Sequence, residues 1–169
     1  MEQNSDKLRV LVVDESVVNR RLMVDAITAM PEVGSVSATP NGRLALARLG
    51  LQPVDMVLVD VEAPPDGGLG SIRAMREQFP DVAVAAISHL DSMAAPKVIV
   101  ALEAGALDVV GKPPEKPGAA DLREFRQHLE GLFRGLRGRR EASRARRMSA
   151  PGRPAGPPPA TSARSAPAA

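Results

Sequence analysis

The sequence predicts a doubly wound α/β domain built on a five-stranded parallel sheet with helices on both faces. Three observations point there. From Leu8 to Lys112, short runs of Val, Leu, Ile and Ala alternate with helical patterns. Those runs are apolar throughout rather than at every second position, so both sheet faces must be covered. Right-handed crossovers then leave a doubly wound sheet as the simplest topology for five β–α pairs.

The elements follow in order. Arg9–Val13 is a compact apolar run ending in Asp14-Glu15. Val18, Leu22 and Ile27 then mark one face of a helix with Ser16 as its N-cap, which Pro31 stops. A weaker strand, Val33–Ala38, precedes the turn signal Pro40-Asn41-Gly42 and a short helix, Arg43–Leu49. Asp55–Asp60 is the second clear strand, again ending in an acid. Two prolines and three glycines make Pro64–Gly70 a loop. Helix Ser71–Phe79, strand Val82–Ile87, helix Lys97–Ala104 stopped by Gly105, and strand Asp108–Val110 come next. The last helix starts near Asp121 as N-cap and runs through Leu122, Phe125, Leu129, Leu132 and Leu136.

At 169 residues there is room for one ordinary domain, expected over 8–138 after a flexible stretch 1–7. Residues 139–169 read as a tail, basic and then Pro/Ala-rich. Residues 150–169 hold six Pro and seven Ala without apolar periodicity, so that segment is expected to be disordered. Hydrophobic content of 44% supports a core, yet aromatics are only 2%, so Val, Leu, Ile, Ala and Met must build it. The lack of cysteine excludes disulfides, thiolate metal sites and Cys nucleophiles. His89 and His128 have no zinc spacing; the first is expected in a loop, the second on a helix surface. A polar N-terminus and the lack of a membrane-length apolar stretch point to a cytoplasmic protein without membrane insertion. Charge divides the chain: residues 1–118 carry 11 basic and 16 acidic side chains, net −5, whereas 119–169 carry 11 and 4, net +7.

Sheets of this kind present function at the carboxyl ends of their strands, beside the switch point in strand order. Here those ends are Asp14-Glu15, Asp60, Ser88 and Lys112. Three crowded carboxylates raise one another's pKa unless a cation neutralises them. Mg²⁺ suits that role, since it takes few protein carboxylates and keeps waters. One carboxylate can then attack phosphorus in line to give an acyl phosphate. Lys112 would supply a point charge and Ser88 a hydroxyl donor. Taken singly, the acids could be N-terminal helix charges and Lys112 an ordinary loop lysine. It is their common placement on one sheet edge that discriminates.

Over residues 8–138 the sequence resembles the receiver domains of bacterial response regulators. The matching pieces are Val10–Ser16 (VLVVDES), Val54–Pro64 (VDMVLVDVEAP), Ala85–Leu90 (AAISHL) and Gly105–Pro113 (GALDVVGKP). The resemblance implies a flavodoxin-like sheet of order 2-1-3-4-5 and Asp60 as phosphoacceptor from a histidine kinase. It implies Mg²⁺ held by Glu15, Asp60, Asp14 and the backbone carbonyl of Glu62, with Ser88 and Lys112 contacting the phosphate. The Lys112-Pro113 peptide matches one that is often cis in the family. Within receivers, the chain is most similar to the receiver half of chemotaxis methylesterase regulators. It has no Gly-x-Ser-x-Gly motif, so the alternative is a regulatory half without its catalytic domain.

Some positions depart from the family pattern. Glu15 stands where Asp is commoner, and Pro64-Pro65 stiffens the loop after Asp60. Val109 stands where a rotating Phe or Tyr is usual, so Ser88 cannot couple to an outer aromatic, and either output passes through backbone and fourth-helix movement or the coupling is weak. The arginines from Arg134 to Arg147 suggest an electrostatic contact, or a solvated helix end. A pseudo-receiver acting on nucleic acid through them is a further alternative, disfavoured because no aromatics are interleaved and no helix-turn-helix follows.

Overall fold

A computed structural model describes residues 7–62, 68–89 and 95–149. The chain alternates β1 (Leu8–Val13), α1 (Val17–Thr28), β2 (Val33–Thr39), α2 (Gly42–Leu51), β3 (Met56–Asp60), α3 (Leu69–Gln78), β4 (Ala83–Ser88), α4 (Ala95–Glu103), β5 (Val109–Gly111) and α5 (Ala119–Ser149). All strand pairs are parallel and the order is β2-β1-β3-β4-β5, as the sequence predicts. The order reverses between β1 and β3, so the crevice for function opens at their carboxyl ends.

Both sheet faces are sealed, which is why the strands read as unbroken apolar runs. On one face Val10, Val12, Leu58 and Ile87 pack with Met23 and Ile27 of α1 and Phe125, Leu129 and Phe133 of α5. On the other, Leu11, Val57 and Ala86 pack with α2, α3 and α4 through Ala45, Ile72, Met75 and Ala101. The aromatic content is spent where it counts: Phe125 and Phe133 are both buried under the sheet. Among the described residues no helix is long and apolar enough to cross a membrane.

Local chemistry sets the helix ends. The Ser16 side chain accepts from Asn19 N and Asn41 accepts from Leu44 N, each capping its helix. Helix α4 closes on Gly105 at φ +107°, with Ala106 N reaching back to Ala101 O.

Most ends shift by a residue or two, and three of the differences from expectation matter here. Helix α3 begins at Leu69, so Leu69 and Gly70 are helical rather than loop. Its N-cap is Gly68 in the left-handed region at φ +72°, where a Cβ would strike the Asp60 carbonyl. Pro64-Pro65 lie outside the described residues. Helix α5 begins at Ala119, and Asp121 sits in its first turn, accepting from Gly118 N at 2.7 Å. The same helix runs to Ser149, so the boundary expected at 138 falls inside it and residues 139–149 are helix, not tail. Arginine, alanine and glutamate are good helix formers, which lets it propagate beyond its apolar stripe. Residues 150–169 lie outside the described residues.

That extension is tied down at the amino ends of the strands. Asp55, just before β3, is 8% exposed. Its Oδ2 accepts from Arg9 N at 2.8 Å and Arg9 Nε at 2.9 Å, and its Oδ1 accepts from Arg9 Nη2 at 2.9 Å. Arg140 Nη1 adds an ion pair to Oδ1 at 3.2 Å. Burial pushes the Asp55 carboxyl up, but these hydrogen bonds and positive charges outweigh it and hold it below the usual carboxylate value.

Candidate functional site

Strands β1 and β3 are neighbours in register, Val13 beside Val59, so the acids that follow them come together. Asp14 is 1% and Asp60 4% exposed. In each carboxylate one oxygen is held by the amide two residues on: Ser16 N donates to Asp14 Oδ1 at 2.8 Å and Glu62 N to Asp60 Oδ1 at 2.9 Å. The other oxygens share one cation. Lys112 Nζ lies 2.7 Å from Asp14 Oδ2 and donates to Asp60 Oδ2 at 2.8 Å. One ammonium thus serves an oxygen of each carboxylate. Burial depresses the Lys112 ammonium, but both carboxylates outweigh that and hold its pKa above the ordinary value.

Ser88 ends β4 and is fully buried. The β4–β5 pairing brings Lys112 to it, since Lys112 N donates to Ser88 O at 2.8 Å. Asp14, Asp60, Ser88 and Lys112 therefore meet at one edge, from four strand ends. Glu15 does not join them: it is exposed, and its carboxylate makes no hydrogen bond or ion pair with a described residue. No cluster of three or more metal-ligating side chains forms among the described residues.

Sequence reasoning missed two participants. The Glu62 carboxylate, expected only to lend its carbonyl, accepts from Ser88 Oγ at 3.1 Å and His89 N at 3.2 Å. It thereby engages the hydroxyl that the family resemblance assigns to the phosphate. Arg20, on α1, donates to the carbonyls of Asp14 at 2.6 Å and Glu15 at 2.9 Å, bracing the acidic turn. Neither belongs to a recognised motif; the Glu62 contacts join residues far apart in sequence, and those of Arg20 are to backbone carbonyls one turn and more before it. His89 is exposed as expected, whereas His128 is half-buried with Nε2 3.0 Å from Asp108 Oδ2. Val109 is 7% exposed and packs into the core layer of α3 and α4.

The model of the response regulator receiver domain matches residues 10–121. The chain belongs to the receiver domain family. This receiver is similar to protein-glutamate methylesterase/protein-glutamine glutaminases. It is 33% identical to the group 2 operon protein of Rhodospirillum centenum over 132 residues, 78% of this chain and 34% of that one. It is 41% identical to that of Nocardioides sp. over 106 residues, 63% of this chain and 29% of that one. The receiver thus spans about a third of the length of the curated relatives it matches. Among solved structures, the response regulator domain of Thermotoga maritima CheB is similar at TM-score 0.64 and 28% identity, covering 78% of this chain and 97% of that one. A chain from the crystal structure of the P1 domain of CheA3 in complex with CheY6 from R. sphaeroides matches at TM-score 0.61 and 26% identity, covering 78% and 97%.

Hard carboxylate oxygens at the end of a parallel sheet suit Mg²⁺, which takes one or two carboxylates and retains water. Asp14 and Asp60 set two buried carboxylates against the single Lys112 ammonium, a donor set that fits the ion that receivers use.

Proposed function

We propose that this chain is a phosphorelay receiver in which Asp60 accepts a phosphoryl group from the phosphohistidine of a histidine kinase. The observation that carries this reading is Lys112 Nζ, within 2.8 Å of two buried carboxylates from separate strands. Two acids against one cation leave the site short of positive charge, the condition under which an incoming metal–phosphoryl group is welcome.

Asp60, Asp14 and the Glu62 carbonyl would hold Mg²⁺, with Glu15 reaching in from its exposed turn, and the ion would neutralise charge on the transferring group. The chain's own residues do the rest. An Asp60 oxygen bonds to phosphorus as the P–N bond breaks, and the electron pair stays on the imidazole nitrogen. Glu62 N, through Asp60 Oδ1, fixes the direction of attack. Lys112 balances the added charge. Ser88 leaves Glu62 and donates to a phosphoryl oxygen, which pulls β4 and the start of α4 toward the site. With Val109 in place of an aromatic, that backbone movement is the route of output. The match to a CheA3–CheY6 complex chain supports a histidine-containing phosphodonor.

Incubation with acetyl phosphate and Mg²⁺, read by intact mass, tests the reading. Wild type should gain one phosphoryl group and Asp60→Asn none. Labelling that survives Asp60→Asn would sink it.

A narrower reading, regulation of a methylesterase catalytic domain, is favoured by the relatives aligned over their receiver third. Such a domain added in trans should bind the phosphorylated chain more tightly than the unphosphorylated one; equal binding argues against it.

A further inference from the structure

We propose that the recess at the amino ends of the strands, walled by the α5 extension, docks an acidic protein segment that carries apolar side chains. The recess, of about 1080 Å³, lies at the opposite end of the sheet from Asp60. Its floor includes Val54, Leu107 and Leu136, with Leu107 41% exposed. Six arginines and three acids line it, net +3. Asp55 is fully engaged by Arg9 and Arg140, so only exposed Asp81 and Glu141 offset the rest.

Arg137, Arg139 and Arg144 pair with no described residue, although all three line the recess. They are not on a loose tail. They stand on a helix whose next arginine, Arg140, is anchored to Asp55, so their spacing is fixed before any partner arrives. Positions 137, 140 and 144 share one helix face.

The occupant follows from what the walls offer. A volume at or above that of small-molecule pockets, open to solvent, suits a peptide segment. An apolar floor beneath guanidinium groups matches carboxylates interspersed with Leu, Ile or Val. Nucleic acid fits poorly, since no aromatic side chain lines the recess for stacking. A bilayer is flat, whereas these arginines border a concavity.

The test uses the full chain and a short fluorescein-labelled peptide alternating Glu and Leu, followed by anisotropy. Poly-glutamate of equal charge, single-stranded DNA and phosphatidylserine vesicles serve as competitors. The peptide should bind more tightly than any of them. Arg137→Gln/Arg139→Gln/Arg144→Gln should weaken it roughly ten-fold, the size expected from losing three exposed ion pairs. Leu107→Ser should weaken the Glu/Leu peptide but leave poly-glutamate unchanged, and Asp60→Asn should change neither. Each variant is checked for folding by circular dichroism. DNA or vesicles competing better than poly-glutamate, or an unaltered affinity in the arginine variant, would overturn the proposal.

Discussion

The two ends of the sheet use the same residue types in opposite proportion. At the amino end, one buried carboxylate, Asp55, sits between two guanidinium groups, and both its oxygens have donors. At the carboxyl end, two buried carboxylates, Asp14 and Asp60, share a single ammonium. The first cluster is saturated and therefore structural: nothing remains for a ligand to satisfy. The second is short of cationic charge, the condition that the proposed phosphoryl transfer needs. Burial alone distinguishes neither, since Asp55 is 8% and Asp60 4% exposed. The ratio of acid to base does.

Breaking each end separately should give opposite phenotypes. Lys112→Ala should slow acetyl phosphate labelling by about 100-fold or more, the scale of losing one preorganised charge on a developing anion, as measured by quenched intact mass. Asp55→Ala should leave that rate unchanged. It should instead cost about 2 kcal/mol in urea unfolding, less than the ~3–5 kcal/mol of a wholly buried pair because the Arg9 side chain is 40% exposed. Hydrogen exchange in the same variant should show α5 opening from Gly138 onward.

The pH dependence sharpens the contrast further. Folding holds the Asp55 pKa below its ordinary 3.8, so the unfolded chain binds that proton more readily. Its stabilisation is complete above 3.8 and is lost as pH falls through the lowered folded value. Asp55→Asn should flatten that acid limb in a pH series of urea melts. The smallest effect expected is at Glu62. Its carboxylate engages Ser88 Oγ, the hydroxyl that the proposed mechanism gives to the phosphoryl group. Glu62→Gln should therefore quicken labelling by about five-fold, as expected from removing roughly 1 kcal/mol of like-charge repulsion.

Much of the fold is legible because burial on both faces writes itself as solid apolar runs, and β1, β3 and β4 read that way. Their C-terminal residues then announce where Asp14, Asp60 and Ser88 converge. What escapes is whatever depends on charge meeting charge across the fold. The extension of α5 past 138 has no apolar stripe to advertise it, and the contact that pins it, Arg140 to Asp55, joins residues far apart in sequence. Glu62 escapes because its hydroxyl and amide partners come from the neighbouring strand end, and Arg20 because its contacts are to backbone carbonyls that no motif marks. Leu69 and Gly70 are hidden by the run of glycine around them, in which Gly68 serves as a left-handed N-cap rather than as loop. Glu15 is the reverse case, a residue marked by its neighbour Asp14 that the fold leaves exposed.

A titration of the full chain with Mg²⁺, followed by amide-resolved NMR, tests the charge-deficit account most directly. Saturable shifts should appear at Ser16 and Glu62, whose amides hold the cradle carboxylates, and none at Arg9, whose amide holds Asp55. Equal shifts at both ends, or no saturable shift at Ser16 and Glu62, would contradict it.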